Sequence, residues 1–323
     1  MHIYEFLRRF YRIILLGINE DHNGTAAIIK NGEVVACASE ERFTRIKNDM
    51  GYPKKAIDSV LEIAGVSGEE VDYALYASLI CAPLEIRLKR SATFKIKDYI
   101  REMHEYWKPV LLQKKKSDFW DVLPKEDRFA NLDNLYYDFS FLENTPEEKW
   151  VALFNREREN TVVRHLGIAR EKVKFVDHHT AHAHYAYYAS PHDASQKATI
   201  ITADSWGDGC NATISVVEDG KIKEIHRTPM CNLARMYKWI TLLLGMKPYE
   251  HEYKVMGLAP YAKDYIRNPA YNIFKETLVV DGLDFKWNQK PSDMYFYFKD
   301  KLEGVRFDGI AAGLQMWVEE LLS

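Results

Sequence analysis

Four of the chain's eleven histidines fall within seven residues, in the run Asp177-His178-His179-Thr180-Ala181-His182-Ala183-His184. A helix beginning near His179 would set His178 and His182, four apart, on one face at its N-terminal end. Neutral imidazoles at that spacing hold first-row divalent metals, and two of them with a carboxylate suit Fe(II), Zn(II) or Mn(II) alike. The carboxylate is expected from Asp204, at the end of a separate strand, giving the metal set His178, His182 and Asp204. Histidines at a helix start also serve simply as caps or packing groups, and His179 and His184 fall on other faces where such roles suit them. The HExxH glutamate is absent, so a zincin-type peptidase lacks its general base.

Two further segments carry chemistry. The loop Asp204-Ser205-Trp206-Gly207-Asp208-Gly209 follows a strand directly. Its glycines would let backbone N–H groups approach phosphate oxygens while its carboxylates hold a bridging cation, although a tight turn would need the same residues. The stretch Glu40-Glu41-Arg42-Phe43-Thr44-Arg45-Ile46-Lys47 offers cations to clamp an anionic substrate, or merely a mixed-charge surface. His22, in the loop Asn19-Glu20-Asp21-His22-Asn23-Gly24, is the best general-base candidate, because histidine titrates near neutrality.

The elements that must position these groups repeat. Strand Ile13 to Ile18, the His22 loop, strand Thr25 to Lys30, the turn Asn31-Gly32 and strand Glu33 to Ala38 form one copy. Strand Ala198 to Ala203, the Asp204 loop, strand Ala212 to Val217, the turn Asp219-Gly220 and strand Lys221 to His226 form the other. Asn-Gly and Asp-Gly are strong signals for two-residue hairpins. Two copies of strand, acidic loop and hairpin point to an α/β protein with two duplicated lobes facing each other across a cleft. A helix is expected over Pro53 to Ala64, a strand over Val71 to Ala77, and a helix after Thr145-Pro146-Glu147-Glu148 with a capping box at its start. The division expected is a short extension over 1–12, a first lobe over 13–197 with a charged, aromatic-rich helical insertion at about 84–144, and a second lobe over 198–323.

Bulk properties exclude several classes. Net charge is −3 over 323 residues, which asks for neither nucleic acid nor an anionic membrane, and Lys114-Lys115-Lys116 reads as a solvated face. Cys37, Cys81, Cys210 and Cys231 lie far apart without a CxxC pair, as in a reduced cytoplasmic protein. The amphipathic first twelve residues lack the long apolar run and cleavage site of a signal peptide, and no stretch is apolar enough to span a bilayer.

Five motifs in order carry a resemblance: Gly17 to Ala27, Glu40 to Lys47, Asp177 to Ala183, Asp204 to Gly209, and Glu252-Tyr253-Lys254-Val255-Met256-Gly257-Leu258-Ala259-Pro260-Tyr261. In these the chain resembles the N-terminal domain of NodU/CmcH-type carbamoyltransferases, relatives of the tRNA threonylcarbamoyl transferases. The resemblance implies an actin-like ATPase fold of the sugar-kinase and heat-shock-chaperone type. It implies a carbamoyl group activated as carbamoyl-adenylate from carbamoyl phosphate and ATP, then attacked by a hydroxyl of a small-molecule acceptor. His178, His182 and Asp204 would hold iron, zinc or manganese; Asp204, Gly207, Asp208, Gly209 and Lys254 would serve the nucleotide. His22 would act as base, with Arg45 and Lys47 favouring the anionic intermediate. Family members are usually longer, so the second lobe is expected to be incomplete, with the apolar face Ile310, Leu314, Val318, Leu321 and Leu322 awaiting an adenylate-forming domain or partner chain. The alternatives are a non-catalytic nucleotide- or metal-binding module, one half of a split enzyme, or a small-molecule kinase of the same fold.

Overall fold

The computed structural model describes residues 13–89, 93–117, 122, 136–191 and 197–323. The amphipathic extension over 1–12 lies outside the described residues, as does part of the 84–144 insertion, whose described part is helical over Ile96–Arg101 and Glu102–Leu112. The chain is mixed α/β and divides into two units. The first takes the described residues up to Phe94 and those from 136 to Ala181; the second takes those from Lys95 to 122 and from His182 onward. The stretch from Lys95 to 122 therefore groups with the second unit, where the sequence alone attaches it to the first lobe.

The first unit is a five-stranded sheet in the order β3-β2-β1-β4-β5. Strands β1 (Ile14–Asn19), β2 (Thr25–Lys30) and β3 (Glu33–Ser39) form an antiparallel meander, and β4 (Tyr73–Tyr76) and β5 (Val173–Phe175) add in parallel. Alternation along β1 buries Ile14, Leu16 and Ile18 on one face. Helix α1 (Lys54–Ala64) turns Ala56, Ile57, Val60 and Leu61 inward. Its N-terminus is capped from a distance. Both oxygens of the buried Glu40 accept backbone N–H groups there, from Lys55 at 3.2 Å and Ala56 at 2.7 Å. Helix α2 (Trp150–Leu166) begins otherwise than expected: Thr145 Oγ1 donates to Phe141 O at 2.6 Å, and a 3₁₀ turn over Glu147–Lys149 leads in. The threonine hydroxyl is engaged with the turn before it, so the capping box does not form. Helix α3 (His178–Tyr188) follows β5, and the division between the units falls inside it.

The second unit repeats the meander. Strands β6 (Ala198–Gly207), β7 (Cys210–Glu218) and β8 (Lys221–Thr228) pair antiparallel in the order β6-β7-β8. The hairpin turns at Asn31-Gly32 and Asp219-Gly220 both have positive φ at both positions, and both third strands carry a one-residue irregularity. The two meanders thus share their turn chemistry and the bulge in the third strand. Helices α4 (Leu233–Leu243), α5 (Glu252–Leu258), α6 (Asp264–Lys275) and α7 (Phe307–Leu322), with the hairpin β9 (Leu278–Asp281) and β10 (Asp284–Trp287), enclose one core. Met236, Ile240, Val255, Phe274, Leu314 and Trp317 lie at its centre. Ile310 and Leu314 are buried in this core, Val318 and Leu321 pack against it half-buried, and Leu322 is exposed. Lys114, Lys115 and Lys116 are exposed, as a solvated run should be.

Helices α6 and α7 approach through two glycines one turn apart. A Cβ on Gly309 would sit 2.5 Å from Ile266 O, and one on Gly313 would sit 2.6 Å from Tyr271 N. Both obstacles are backbone, so the helices would have to separate. Gly313→Ala should therefore destabilise the protein by about 1–3 kcal/mol through overpacking, despite a helix-propensity gain of up to ~1 kcal/mol. Urea unfolding reads this directly, and a variant as stable as its parent would show that the helices part freely. Cys81, Cys210 and Cys231 are buried thiols and Cys37 is exposed. Among the described residues no helix is long and apolar enough to cross a membrane.

Candidate metal centre

Strand β6 runs four residues further than its apolar pattern indicates. After Ala203 pairs with Ala212, the ladder shifts and resumes at Gly207 opposite Cys210, leaving Asp204, Ser205 and Trp206 in a bulge. A bulge re-aims side chains, and here it falls on the candidate ligand. The strand is pinned just before it: Thr202 and Thr213 hydroxyls lie 2.7 Å apart, buried, and Thr213 N–H donates to Thr202 Oγ1 at 3.0 Å. Asp204 Oδ1 accepts from Ser205 N–H at 2.6 Å. The supposed glycine-rich loop thus shrinks to the two-residue turn Asp208-Gly209, with φ of 49° and 85°. That conformation favours a glycine at 209.

Helix α3 starts at His178, one residue earlier than expected, because Asp177 supplies its cap. Asp177 Oδ1 accepts from Thr180 N–H at 2.8 Å and from Thr180 Oγ1 at 3.0 Å. His178 and His182 therefore stand one helical turn apart. His182 Nε2 lies 3.5 Å from Asp204 Oδ2. One ligand atom from each of His178, His182 and Asp204 can be chosen so that all lie within 4.8 Å of one another. Ligands at ordinary metal–donor lengths of about 2.0–2.2 Å stand roughly 3–3.5 Å apart, so small rotamer adjustments bring the three onto one ion. Two imidazoles and a carboxylate are also a fitting donor set for a divalent first-row metal. His179 is fully buried with its ring 5.4 Å from that of His178, while His184 contacts the Tyr188 ring.

His22 sits on the loop between β1 and β2, with its side chain 47% exposed. Its backbone N–H donates to Asp21 Oδ1 at 2.7 Å, and its Nδ1 lies 3.3 Å from the same oxygen. Surrounding protein pushes the Asp21 carboxyl up, but its hydrogen bonds to His22 and the imidazoles of His22 and His178 outweigh this and hold it below its ordinary value. The His22 loop and His178 therefore share an electrostatic environment.

Beneath the loop lies a buried ion pair that no local pattern announces. Glu20 and Arg158 are nearly inaccessible and meet at 2.5 Å. Tyr137 donates a short hydrogen bond to Glu20 Oε2. Arg158 also donates to Asn155 Oδ1 at 2.8 Å and to Ser78 Oγ at 2.9 Å, and its guanidinium lies over the rings of Tyr76 and Phe175. Burial raises the Glu20 carboxyl above its ordinary value, against the pull of Arg158 and the hydrogen bonds from Tyr137 and Cys81.

The remaining candidates stand as follows. Arg45 and Lys47 are exposed after a short helix, Glu41–Thr44, whose preceding residue ties back to the His22 loop through Glu40 N–H to Gly24 O at 2.8 Å. Glu40 itself, the first residue of that charged stretch, is the cap of α1 and is pushed up by burial despite its N–H partners. Lys254 is exposed on α5 with its Nζ 5.9 Å from the Tyr253 ring centre, while the neighbouring Val255 enters the core. Gly207 is buried at the end of β6, and Asp208 and Gly209 form the hairpin turn.

An α/β chain with this site has matching relatives. A model of the carbamoyltransferase N-terminus matches residues 14–323, and the chain belongs to that family. An uncharacterized protein of Synechocystis is 27% identical over 260 residues, covering 77% of this chain and 35% of that protein. An uncharacterized protein of Methanocaldococcus jannaschii is 23% identical over 265 residues, 81% of this chain and 36% of its own length. Nodulation protein NolNO of Sinorhizobium fredii is 25% identical over 264 residues, 81% of this chain and 31% of its own length. The match thus takes in about a third of the length of these curated relatives.

Proposed function

We propose that the chain is the metal-containing transfer domain of an O-carbamoyltransferase with an actin-like ATPase fold, acting in the cytoplasm. The observation that carries the reading is the gathering of His178, His182 and Asp204 in a member of the carbamoyltransferase N-terminal family. The strand order of the first unit and the repeated meander support the fold. The donor is carbamoyl-adenylate, made from carbamoyl phosphate and ATP, and the acceptor is a hydroxyl of a small molecule. A divalent ion held by the three ligands, with Fe(II) preferred over Zn(II) or Mn(II), would supply Lewis-acid polarisation and a positive charge for phosphate oxygens.

The chain's own residues then divide the work. Nδ1–H of His22 directed at Asp21 leaves Nε2 as the accepting nitrogen, so His22 takes the proton of the acceptor hydroxyl. The hydroxyl oxygen bonds to the carbamoyl carbon, the bond from that carbon to the adenylate oxygen breaks, and AMP leaves with the electron pair. Arg45 and Lys47 stabilise the anionic intermediate, and Asp204, Gly207, Asp208, Gly209 and Lys254 serve the nucleotide. His22→Ala should lower kcat for carbamoyl transfer by about 10²–10⁴-fold with KM little changed. Transfer of labelled carbamoyl to a hydroxyl acceptor, with a carbamoyl-adenylate source present, is the measurement. Undiminished transfer would remove His22 from the role.

A second reading is favoured by one fact, the coverage of about a third of the relatives' length. In it this segment binds nucleotide and metal, and turns over only with an adenylate-forming domain or partner chain. Transfer by the purified chain given only carbamoyl phosphate, ATP and acceptor would rule that reading out.

A further inference from the structure

Tyr52 and Asp58, six residues apart, meet a histidine from more than a hundred residues further along the chain. Tyr52 is buried, and its hydroxyl lies 2.8 Å from His165 Nδ1 on α2. His165 Nε2 lies 2.7 Å from Asp58 Oδ1 on α1, and Asp58 Oδ2 receives Lys54 Nζ at 2.7 Å. The pattern assigns the proton: Nε2–H donates to the carboxylate and Nδ1 accepts from the tyrosine hydroxyl. Tyr52 ends a segment that grips the His22 loop at both ends. Gly24 N–H donates to Asp49 O at 2.6 Å, and Gly51 N–H donates to Glu20 O at 2.8 Å. There is no slack in this grip, since a Cβ on Gly24 would come within 3.1 Å of Gly51 O and 3.3 Å of Asp49 O. The Tyr52 ring also meets the ring of Tyr137, whose hydroxyl holds the Glu20 side chain.

We infer that Tyr52, His165 and Asp58 form a hydrogen-bonded relay that positions the His22 loop, with His165 as a positioning residue. It deepens the proposed function by naming what holds the base in place, and rests on that reading only for its catalytic consequence. A buried hydroxyl needs an acceptor, and a backbone carbonyl would serve if stability were the sole requirement. An imidazole instead makes the anchor depend on its protonation state. The charged or titratable groups facing His165 are Asp58, Lys54 and Tyr52, and those acting on Tyr52 are Asp58, Glu20 and Glu40. Burial lowers the proton affinity of His165 below the ordinary histidine value, and Asp58 opposes this without cancelling it. The neutral form, which accepts from Tyr52, therefore holds at neutral pH. A second proton would make both ring nitrogens donors and turn the Tyr52 hydroxyl away. Because the folded value lies below the unfolded one, the anchor is complete above the unfolded value and is lost as pH falls toward the folded one.

Amide hydrogen exchange of the full chain tests this without any activity assay. Tyr52→Phe and His165→Phe should each speed exchange at Gly24 and Gly51 by roughly tenfold, the loss of about one hydrogen bond. Ile28 in β2 and Val162 in α2 should keep their rates. His165→Gln, which can both accept and donate, should stay within about threefold of the parent. In the parent the protection of Gly24 and Gly51, corrected for intrinsic rates, should fall as pH drops below the ordinary histidine range of about 6.5, and in His165→Gln it should stay constant. Unchanged rates at Gly24 and Gly51, an equal acceleration at Ile28 and Val162, or a glutamine variant as fast as the phenylalanine one would each overturn the relay. If His22→Ala leaves transfer intact, the base assignment fails while these rates still decide the positioning.

Discussion

Purified His182→Ala protein is expected to carry less than about a tenth of the divalent metal bound by the parent chain, because one of three protein ligands is gone. The same loss is expected for His178→Ala and Asp204→Asn, since each removes one donor from a set whose ligand atoms already lie within 4.8 Å. His184→Ala is the control: His184 is on the same helix, contacts the Tyr188 ring and is not among the three clustered donors. Elemental analysis after gel filtration reads the content, and a thermal scan with and without chelator reads the linkage, because a metal that binds only the folded chain raises its melting temperature. Equal metal in the parent and His182→Ala would end the case for the site. The effect should exceed that of any nearby polar substitution. Asp204 is aimed by a bulge and His178 and His182 by a capped helix, so the donors are held before any ion arrives.

Arg158→Ala should be the most destabilising of the simple substitutions, by about 3–5 kcal/mol, because it leaves the Glu20 carboxylate buried without its counter-charge. The guanidinium also fills space against Tyr76 and Phe175, so packing is lost with the charge. The pH dependence carries its own sign. Burial raises the folded value for Glu20, so its stability contribution is fully present below the unfolded carboxylate value and is lost as pH rises through the folded one. Without Arg158 that rise should grow. The variant's deficit should thus be larger near pH 8 than near about pH 5, where protonated Glu20 needs no partner. Denaturant unfolding at both values gives the comparison. The double variant Glu20→Gln with Arg158→Met should recover much of the loss, as apolar or neutral replacements of buried pairs do. A deficit independent of pH and unrelieved in the double variant would mean that the pair contributes shape alone.

What the sequence determined by itself was local. Asn31-Gly32 and Asp219-Gly220 specify hairpins because two successive positive φ angles admit few residues, and both turns form where expected. The four-residue spacing of His178 and His182 fixes their shared helix face, and the alternation in β1 fixes which side enters the core. The cap from Asp177 was not read from the sequence, which placed the helix start near His179. Family membership followed from such short motifs in order.

The tertiary structure alone decided the partners. Nothing in a residue's type says which distant residue it will meet, so Glu20 with Arg158 and Tyr52 with His165 stay invisible until β1, α1 and α2 are packed. Glu40 reads as part of a charged surface stretch, yet folding turns it inward because the unsatisfied N–H groups of α1 need an acceptor. Gly309 and Gly313 resemble weak points of a helix until α6 lies against them. The extent of β6 misleads for a related reason: Asp204, Ser205 and Trp206 look like loop, but pairing resumes beyond them once β7 supplies Cys210 opposite Gly207. Turn and helix periodicity arise from near-neighbour sterics, which a sequence states outright. Caps supplied from a distance, buried pairs and bulges arise from satisfying groups that only a folded chain brings together.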